Sequence, residues 1–582
     1  MDHAETNRGT RGADWAVLLA LLPVIAFLRL PTMANTLCDP DLGTPAYASR
    51  LILDGRCAYS DAVVTKPPGT LALYAASFSL LGTDMRPVYA LATLLAWASC
   101  MLIHRILATT VHRAAGLAGA FLYALYQAEM VSAGTCPNFE FWTIAPSLVS
   151  LLALSGPPSA RRHVLAGVAI AVAIAMKQSA LFFAAACAIE IALRRSAGAR
   201  WSPVSSARAL AQFGAGVLIG ALPFAAIMAA TGCIGVAAEQ LNPFGMFGYR
   251  TGADWTTTSR LVANQWLRLW RSNPALLTAS IASIGLLIAA PSWRNSAAPV
   301  RVWMLYALAA LVSLLMGGHW YGHYFVVLFP AACLMVAAAL TPLALARPRR
   351  IQVAMCVVAF ALVSFDMRTE FSWATLSARG LAKESTLFTA EIARRNRDFV
   401  FERAAHNQVA NHLEWQPTLT AAADFVRPRL TPGDTVWTYD YLPEMYLFLD
   451  AFAPTRHQEN FEIVAADDLS HTLHNYGLWH VRTDADVLRA RADLMASFAS
   501  HPPRFVFRYA QDCRRHAPFP GRGRVPPNWP RNVWGDPMAH CPPRVETFAE
   551  LDDFLRANYR IVPWTWDAVI AIYEFGAEDA SP

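Results

Sequence analysis

The sequence is short of charge. Only 15% of its 582 residues are Asp, Glu, Lys or Arg and 55% are hydrophobic, whereas an average soluble protein is about 25% charged. The shortage is uneven: residues 1–366 hold 39 charged side chains (11%) and residues 367–582 hold 51 (24%). This division excludes a single soluble globule, a disordered chain and a small disulfide scaffold. The net charge divides too, at +11 in the first part and −5 in the second. The basic residues stand in short clusters between apolar runs, so no nucleic-acid partner is expected. The second part has no GxGxxG, no P-loop and no nucleophile elbow, which removes nucleotide and hydrolase chemistry as starting points.

Apolar runs fill the first part. A transmembrane helix needs roughly 17–25 mostly apolar residues. Candidate spans lie at 14–30, 87–104, 114–131, 139–156, 164–176, 178–193, 209–230, 274–290, 302–316, 325–345 and 351–366. With a cytoplasmic N-terminus, the inner segments collect 15 basic residues, from Arg8 and Arg11 to Arg347, Arg349 and Arg350. The outer loops at 132–138 and 317–324 have none, and 231–258 has only Arg250. The positive-inside rule therefore orients the chain. Eleven spans place residues 367–582 outside, in the periplasm, and the first span is expected to be retained rather than cleaved as a signal. Six of the ten cysteines (Cys38, Cys57, Cys136, Cys233, Cys513, Cys541) also fall on that outer, oxidising side. Cys38–Cys57 and Cys513–Cys541 are the natural local disulfides, which leaves Cys136 for Cys233.

The first outer loop, 31–86, carries most of the information. Asp39 and Asp41 precede a short helix expected at Ala46–Leu53 with Gly55 as its C-cap. Two carboxylates two residues apart share a face if the segment is extended. Pro67-Pro68-Gly69 then breaks the chain before an apolar stretch, 70–82, too short to span comfortably and expected to lie in the interface or re-enter.

The ordered pattern Asp41-x-Gly43-x3-Tyr47, Gly55, Tyr59-x-Asp61 and Lys66-Pro67-Pro68-Gly69 resembles the first periplasmic loop of GT-C glycosyltransferases. More narrowly, it is similar to the bacterial members related to protein O-mannosyltransferases and to the lipid A aminoarabinose transferase. Further landmarks follow in order: Asn138-Phe139-Glu140, Gly167 through Lys177-Gln178, Gly318-His319, His323-Tyr324 and Pro330. In the tail come Pro432-Gly433-Asp434-x-Val436-Trp437, then Pro443-Glu444 and Tyr446. The resemblance spans about 40–450. It implies a polytopic α-helical membrane domain at 1–366 and a C-terminal periplasmic α/β domain at 367–582. It also implies transfer of a sugar, with inversion, from a polyprenyl-phosphate carrier to a lipid, polysaccharide or protein acceptor on the outer face of a bacterial inner membrane.

The chemistry of such a transfer assigns roles. A carboxylate must take the acceptor's proton; Asp41 matches the loop aspartate of the resemblance and Asp39 is its neighbour. Cations must stabilise the departing lipid phosphate, the role implied for Lys66, Lys177 and His323. Tyr47, Asp61, Asn138, Glu140 and Tyr324 are the candidate substrate-binding residues. Glu140 and Lys177 lie near membrane ends, where ionisable groups are costly, and can pair with each other. His319 and His323, four apart, can bind phosphate or metal on a helix, although Trp320, Tyr321 and Tyr324 read as an aromatic belt. Two departures stand out: Thr65 replaces an acidic residue before the lysine of the KPP motif, and Leu42 follows the loop aspartate. A divalent metal is therefore compatible with the sequence but not required by it. A transporter or flippase of a lipid-linked sugar is the competing reading. It predicts related halves with charged sites at the bilayer midplane, and no such repeat is visible.

Overall fold

The computed structural model describes residues 2–34, 40–62, 64, 66–129, 132, 134–194, 203–241, 255–289, 297–316, 322–382, 419–439, 443–457, 484–509, 548–562 and 570–576. Although the run at 114–131 outlasts its helix, which ends at Tyr126, each of the eleven apolar runs overlaps a helix. These are α1 (Asp2–Leu28), α6 (Arg86–Thr110), α7 (Arg113–Tyr126), α8 (Phe139–Ser155), α9 (Ala160–Met176), α10 (Leu181–Leu193), α11 (Pro203–Ala230), α14 (Pro274–Ala289), α15 (Ala297–Met316), α16 (Leu328–Leu345) and α17 (Arg349–Asp366). Shorter helices fill the connections: α2 (Leu30–Ala34), α3 (Pro40–Leu53), α4 (Ala58–Asp61), α5 (Pro68–Leu81), α12 (Ile234–Gln240), α13 (Trp255–Ser272) and α18 (Arg368–Ala382).

Among the described residues, three helices are long and apolar enough to cross a membrane individually, Arg86–Thr110, Pro203–Ala230 and Gly322–Leu345. The part of α13 from Val262 and the whole of α14 form a further apolar pair, bent by 104° at Asn273. Asp366 fixes that bend. Its carboxylate accepts hydrogen bonds from the backbone N–H groups of Ala275 and Leu276 (3.2 and 3.0 Å) and from the Tyr126 hydroxyl (2.7 Å), and so caps α14 from another helix. Outward faces of the bundle are greasy: Leu218, Ile219 and Leu222 on α11, and Val357, Phe360 and Phe365 on α17, are exposed. Contiguous apolar surface of this kind suits hydrocarbon rather than water.

The C-terminal part is α/β. β1 (Val436–Thr438), β2 (Phe505–Tyr509), β3 (Tyr559–Ile561) and β4 (Ile570–Phe575) form one sheet in the order β1-β2-β4-β3. β1 and β2 are parallel, and the other two pairings antiparallel. Helices α19 (Glu444–Leu449), α20 (Asp484–Ser500) and α21 (Ala549–Asn558) accompany it. The Pro-Gly-Asp signature is a structural turn: Gly433 has φ +93°, and the Asp434 carboxylate accepts from the N–H and hydroxyl of Thr431 (2.7 and 2.9 Å).

The first loop and this domain share one core. Tyr47, Leu51, Tyr59 and Val64 are buried in the same hydrophobic cluster as Trp437, Tyr446 and Phe507. Helix α3 starts earlier than the sequence indicates, because Pro40, whose fixed φ suits a first helical turn, opens it. Asp41 is thus helical rather than extended, and Asp39 lies outside the described residues. At the other end the expected cap is present, with Gly55 at φ +73°.

The cysteine pairing also differs from expectation. Cys57 bonds to Cys233, with Cα atoms 5.3 Å apart, so neither the Cys38–Cys57 nor the Cys136–Cys233 pairing holds. Proximity in sequence loses to packing, because the starts of α4 and α12 meet in the shared core. Cys38, Cys513 and Cys541 lie outside the described residues. Cys57→Ser is expected to cost about 2–4 kcal/mol, read as a lower melting temperature in detergent that falls less on adding reductant than the wild type's does. Wild-type melting that ignores reductant would mean packing alone holds α4.

Candidate active site

Four segments far apart in sequence meet at one end of the bundle. Pro67 is the N-cap of α5 and Pro68 its first residue, so the double proline fixes where Lys66 ends and the helix begins. Gly69 then presses against the last turn of α9. A Cβ at this position would lie 2.5 Å from the Ala175 carbonyl oxygen, which only glycine avoids. Thr70 donates its hydroxyl to the Met176 carbonyl (3.2 Å), and the Tyr59 hydroxyl donates to the Lys66 carbonyl (2.8 Å). The Lys-Pro-Pro-Gly turn is thereby stitched to the tip of the α9–α10 hairpin. That tip is Lys177, the extended C-cap of α9 (φ −153°, ψ 134°).

The next contribution comes from α8. Asn138 is its N-cap and Glu140 stands in its first turn, where a carboxylate is favoured by the helix dipole. Both are nearly inaccessible, at 1% and 3% exposure. Lys177 Nζ forms an ion pair with Glu140 Oε1 and sits 3.9 Å from the Tyr324 ring centre. His323 Nε2 is 3.8 Å from the same Glu140 oxygen, and the His323 and Tyr324 rings meet edge-on at 4.7 Å. Lys66 Nζ lies 5.2 Å from the Phe139 ring centre. Two ammonium groups, an imidazole and a carboxylate are therefore held among aromatic faces, an arrangement in which the buried Lys177 ammonium is paired rather than stranded.

Sequence reasoning missed the residue that sets the α7–α8 loop. Arg29, fully buried after α1, donates to Gln127 Oε1 (2.8 Å) and to the carbonyls of Gly134 and Thr135 (3.0 and 2.8 Å). Its guanidinium also covers the Phe141 ring at 4.8 Å. The available signal was a lone arginine closing an apolar run.

Not every candidate joins this cluster. Tyr47 stacks on Tyr446 with ring centres 4.7 Å apart, and its hydroxyl accepts from the Ala453 N–H (3.1 Å). Burial pushes that hydroxyl up to about 12, so it stays protonated. Asp61 pairs with Arg56 (2.7 Å) and accepts from Ser60 (2.8 Å) beside the disulfide. Both residues brace the loop. Asp41 lies in the first turn of α3, two residues from Gly43, at which a Cβ would come within 2.7 Å of Pro443. The C-terminal Pro443-Glu444 thus packs directly on the turn that carries Asp41. Arg50 extends the seam, reaching the Tyr446 carbonyl (2.7 Å) and Asp450 (2.5 Å). His319 lies outside the described residues. Among the described residues no three His, Cys, Asp or Glu side chains gather as a metal site, and the single carboxylate of the cluster is taken by Lys177.

Over almost its whole length the chain is similar in structure to ArnT from Cupriavidus metallidurans bound to undecaprenyl phosphate. That match covers 98% of this chain and 99% of the other, at 14% identity and a TM-score of 0.53. An Archaeoglobus fulgidus oligosaccharyltransferase in complex with Zn and sulfate matches over 86% of this chain and 68% of its own, at 12% identity and a TM-score of 0.50. The chain shares the fold of these two proteins, as the resemblance to GT-C glycosyltransferases implies. No family model and no curated protein matches the sequence. At these identities the likeness establishes the architecture, the one implied by the motif order, while the chemistry rests on the cluster.

Proposed function

We propose that the chain transfers a sugar from a polyprenyl-phosphate-linked donor to an acceptor, at the membrane face that carries the first loop and the C-terminal domain. The charge distribution supports reading that face as periplasmic, and the Cys57–Cys233 disulfide suits an oxidising compartment. The observation that carries the reading is the convergence of Lys66, Lys177 and His323, from three distant segments, at one end of an apolar bundle. A cationic pocket at the end of greasy helices fits a lipid phosphate better than a soluble anion.

In the proposed reaction the acceptor oxygen attacks the anomeric carbon from the face opposite the phosphate. Asp41 takes the acceptor's proton, with Asp39 as its neighbour, and the bond to the phosphate oxygen breaks with inversion. Lys66, Lys177 and His323 stabilise the charge that gathers on the departing phosphate. Asn138, Glu140 and Tyr324 shape the pocket, and Glu140 holds Lys177 in place.

Reconstitution in proteoliposomes tests the proposal. Wild type should release free polyprenyl phosphate from its sugar-linked form as acceptor is glycosylated. Lys66→Gln should raise the donor KM by about tenfold or more, the worth of a charge-assisted contact. Passage of intact lipid-linked sugar across the bilayer without bond cleavage would instead identify a flippase.

A further inference from the structure

The corner between α13 and α14 gives α13 a direction of its own. α14 is one of the apolar runs, and from Val262 α13 turns away from it by 104°. With α14 along the bilayer normal, this turn lays α13 within about 15° of the membrane plane, a smaller angle than the ordinary tilt of a span. The corner is firmly built. Asn273 is fully buried there, the Ser272 hydroxyl donates to Glu129 Oε1 (2.9 Å), and Asp366 caps α14.

From Val262 onward α13 has three unlike sides. At about 100° per residue, Val262 and Leu269 fall together; Leu269 is buried in the core of the bundle and Val262 packs against it. Ala263, Leu267 and Trp270 fall on a second side and are exposed, Leu267 at 45% and Trp270 at 39%. Asn264, Arg268 and Arg271 fall on a third. A surface helix in water needs one apolar side, the one toward its own protein. A second apolar side with Leu and Trp, flanked by Asn and Arg, suits a helix at the boundary between headgroups and acyl chains. Beyond the corner α14 exposes Ile281 and Ile288 as well, so apolar surface is turned outward on both arms.

We infer that α13 is an interfacial anchor: Ala263, Leu267 and Trp270 enter a phospholipid leaflet at the level of the glycerol groups, while Asn264 and Arg271 stay among the hydrated headgroups. The same helix packs Trp266 edge-on against Phe325, with ring centres 5.1 Å apart, two residues from His323. Anchoring therefore holds the cationic pocket at the depth of lipid phosphates. That consequence rests on the transfer reading, whereas the anchoring itself does not.

The test uses the full chain in phosphatidylcholine liposomes, with an environment-sensitive fluorescent amino acid introduced by codon suppression in place of Leu267 or of Asn264. Both side chains are exposed, so neither replacement disturbs packing. Phosphatidylcholine carrying a nitroxide near the glycerol should remove most of the emission at Leu267 and little at Asn264, and aqueous iodide should do the reverse. Iodide reaching Leu267 as readily as Asn264 would put this side in water. A Leu267 probe reached by neither quencher would mean that another protein surface, such as a second copy, covers it. Either result overturns the inference. Wild type supplies a check that needs no variant: phosphatidylcholine with a photoreactive diazirine near the glycerol should label peptides spanning 262–271, and labelling of α14 without α13 would also overturn it. None of these readouts uses donor or acceptor, so they stand even where sugar transfer fails.

Discussion

Asp41→Asn is expected to lower sugar transfer by about 10²–10⁴-fold, the usual worth of a general base, with folding and donor binding unchanged. Asparagine keeps the size of the side chain and its ability to serve a helix N-terminus, but it cannot accept the acceptor's proton. The backbone that carries Asp41 is firmly held: α3 packs on Pro443 through Gly43, on Tyr446 through Tyr47, and on Asp450 through Arg50. Loss of activity would therefore report chemistry rather than collapse of the loop. Single-turnover rates measured beside donor affinity check this, and Asp39→Asn in the same assay apportions the role between the two carboxylates. Transfer at the wild-type rate by Asp41→Asn would move the base elsewhere.

Lys177→Met is expected to carry the largest stability cost, about 3–5 kcal/mol, because it strands a buried carboxylate. The Glu140 side chain is only 4% exposed, and its remaining basic neighbour, His323, is 3.8 Å away. The double variant Lys177→Met/Glu140→Gln removes the stranded charge and should regain much of the stability. It should not regain affinity for the lipid phosphate, because the ammonium is still missing. Melting and donor titration on the four members of this cycle separate the two roles. Recovery of both quantities would make the pair purely structural.

The helices were legible because apolar runs announce themselves residue by residue, and each of the eleven overlaps a helix. The bend at Asn273 was not, since it depends on Asp366, more than ninety residues away, capping α14. The cluster was visible only as four weak motifs in order; what joins them is the contact of Gly69 with Ala175 and the pairing of Lys177 with Glu140. Tyr47 and Asp61 matched the same pattern yet stand apart from the cluster, Tyr47 against Tyr446 and Asp61 on Arg56, because a motif fixes order along the chain and not position in the fold. The disulfide was misread for a related reason: Cys57 chooses its partner by packing across 176 residues.

The central claim is that the cations at this end of the bundle recognise a lipid phosphate. Titration of polyprenyl phosphate and of the corresponding polyprenyl alcohol onto the purified chain tests it most directly. Saturable binding of the phosphate, weak binding of the alcohol, and loss of that preference in Lys66→Gln are the expected results. Equal binding of phosphate and alcohol, unaffected by Lys66→Gln, would contradict it.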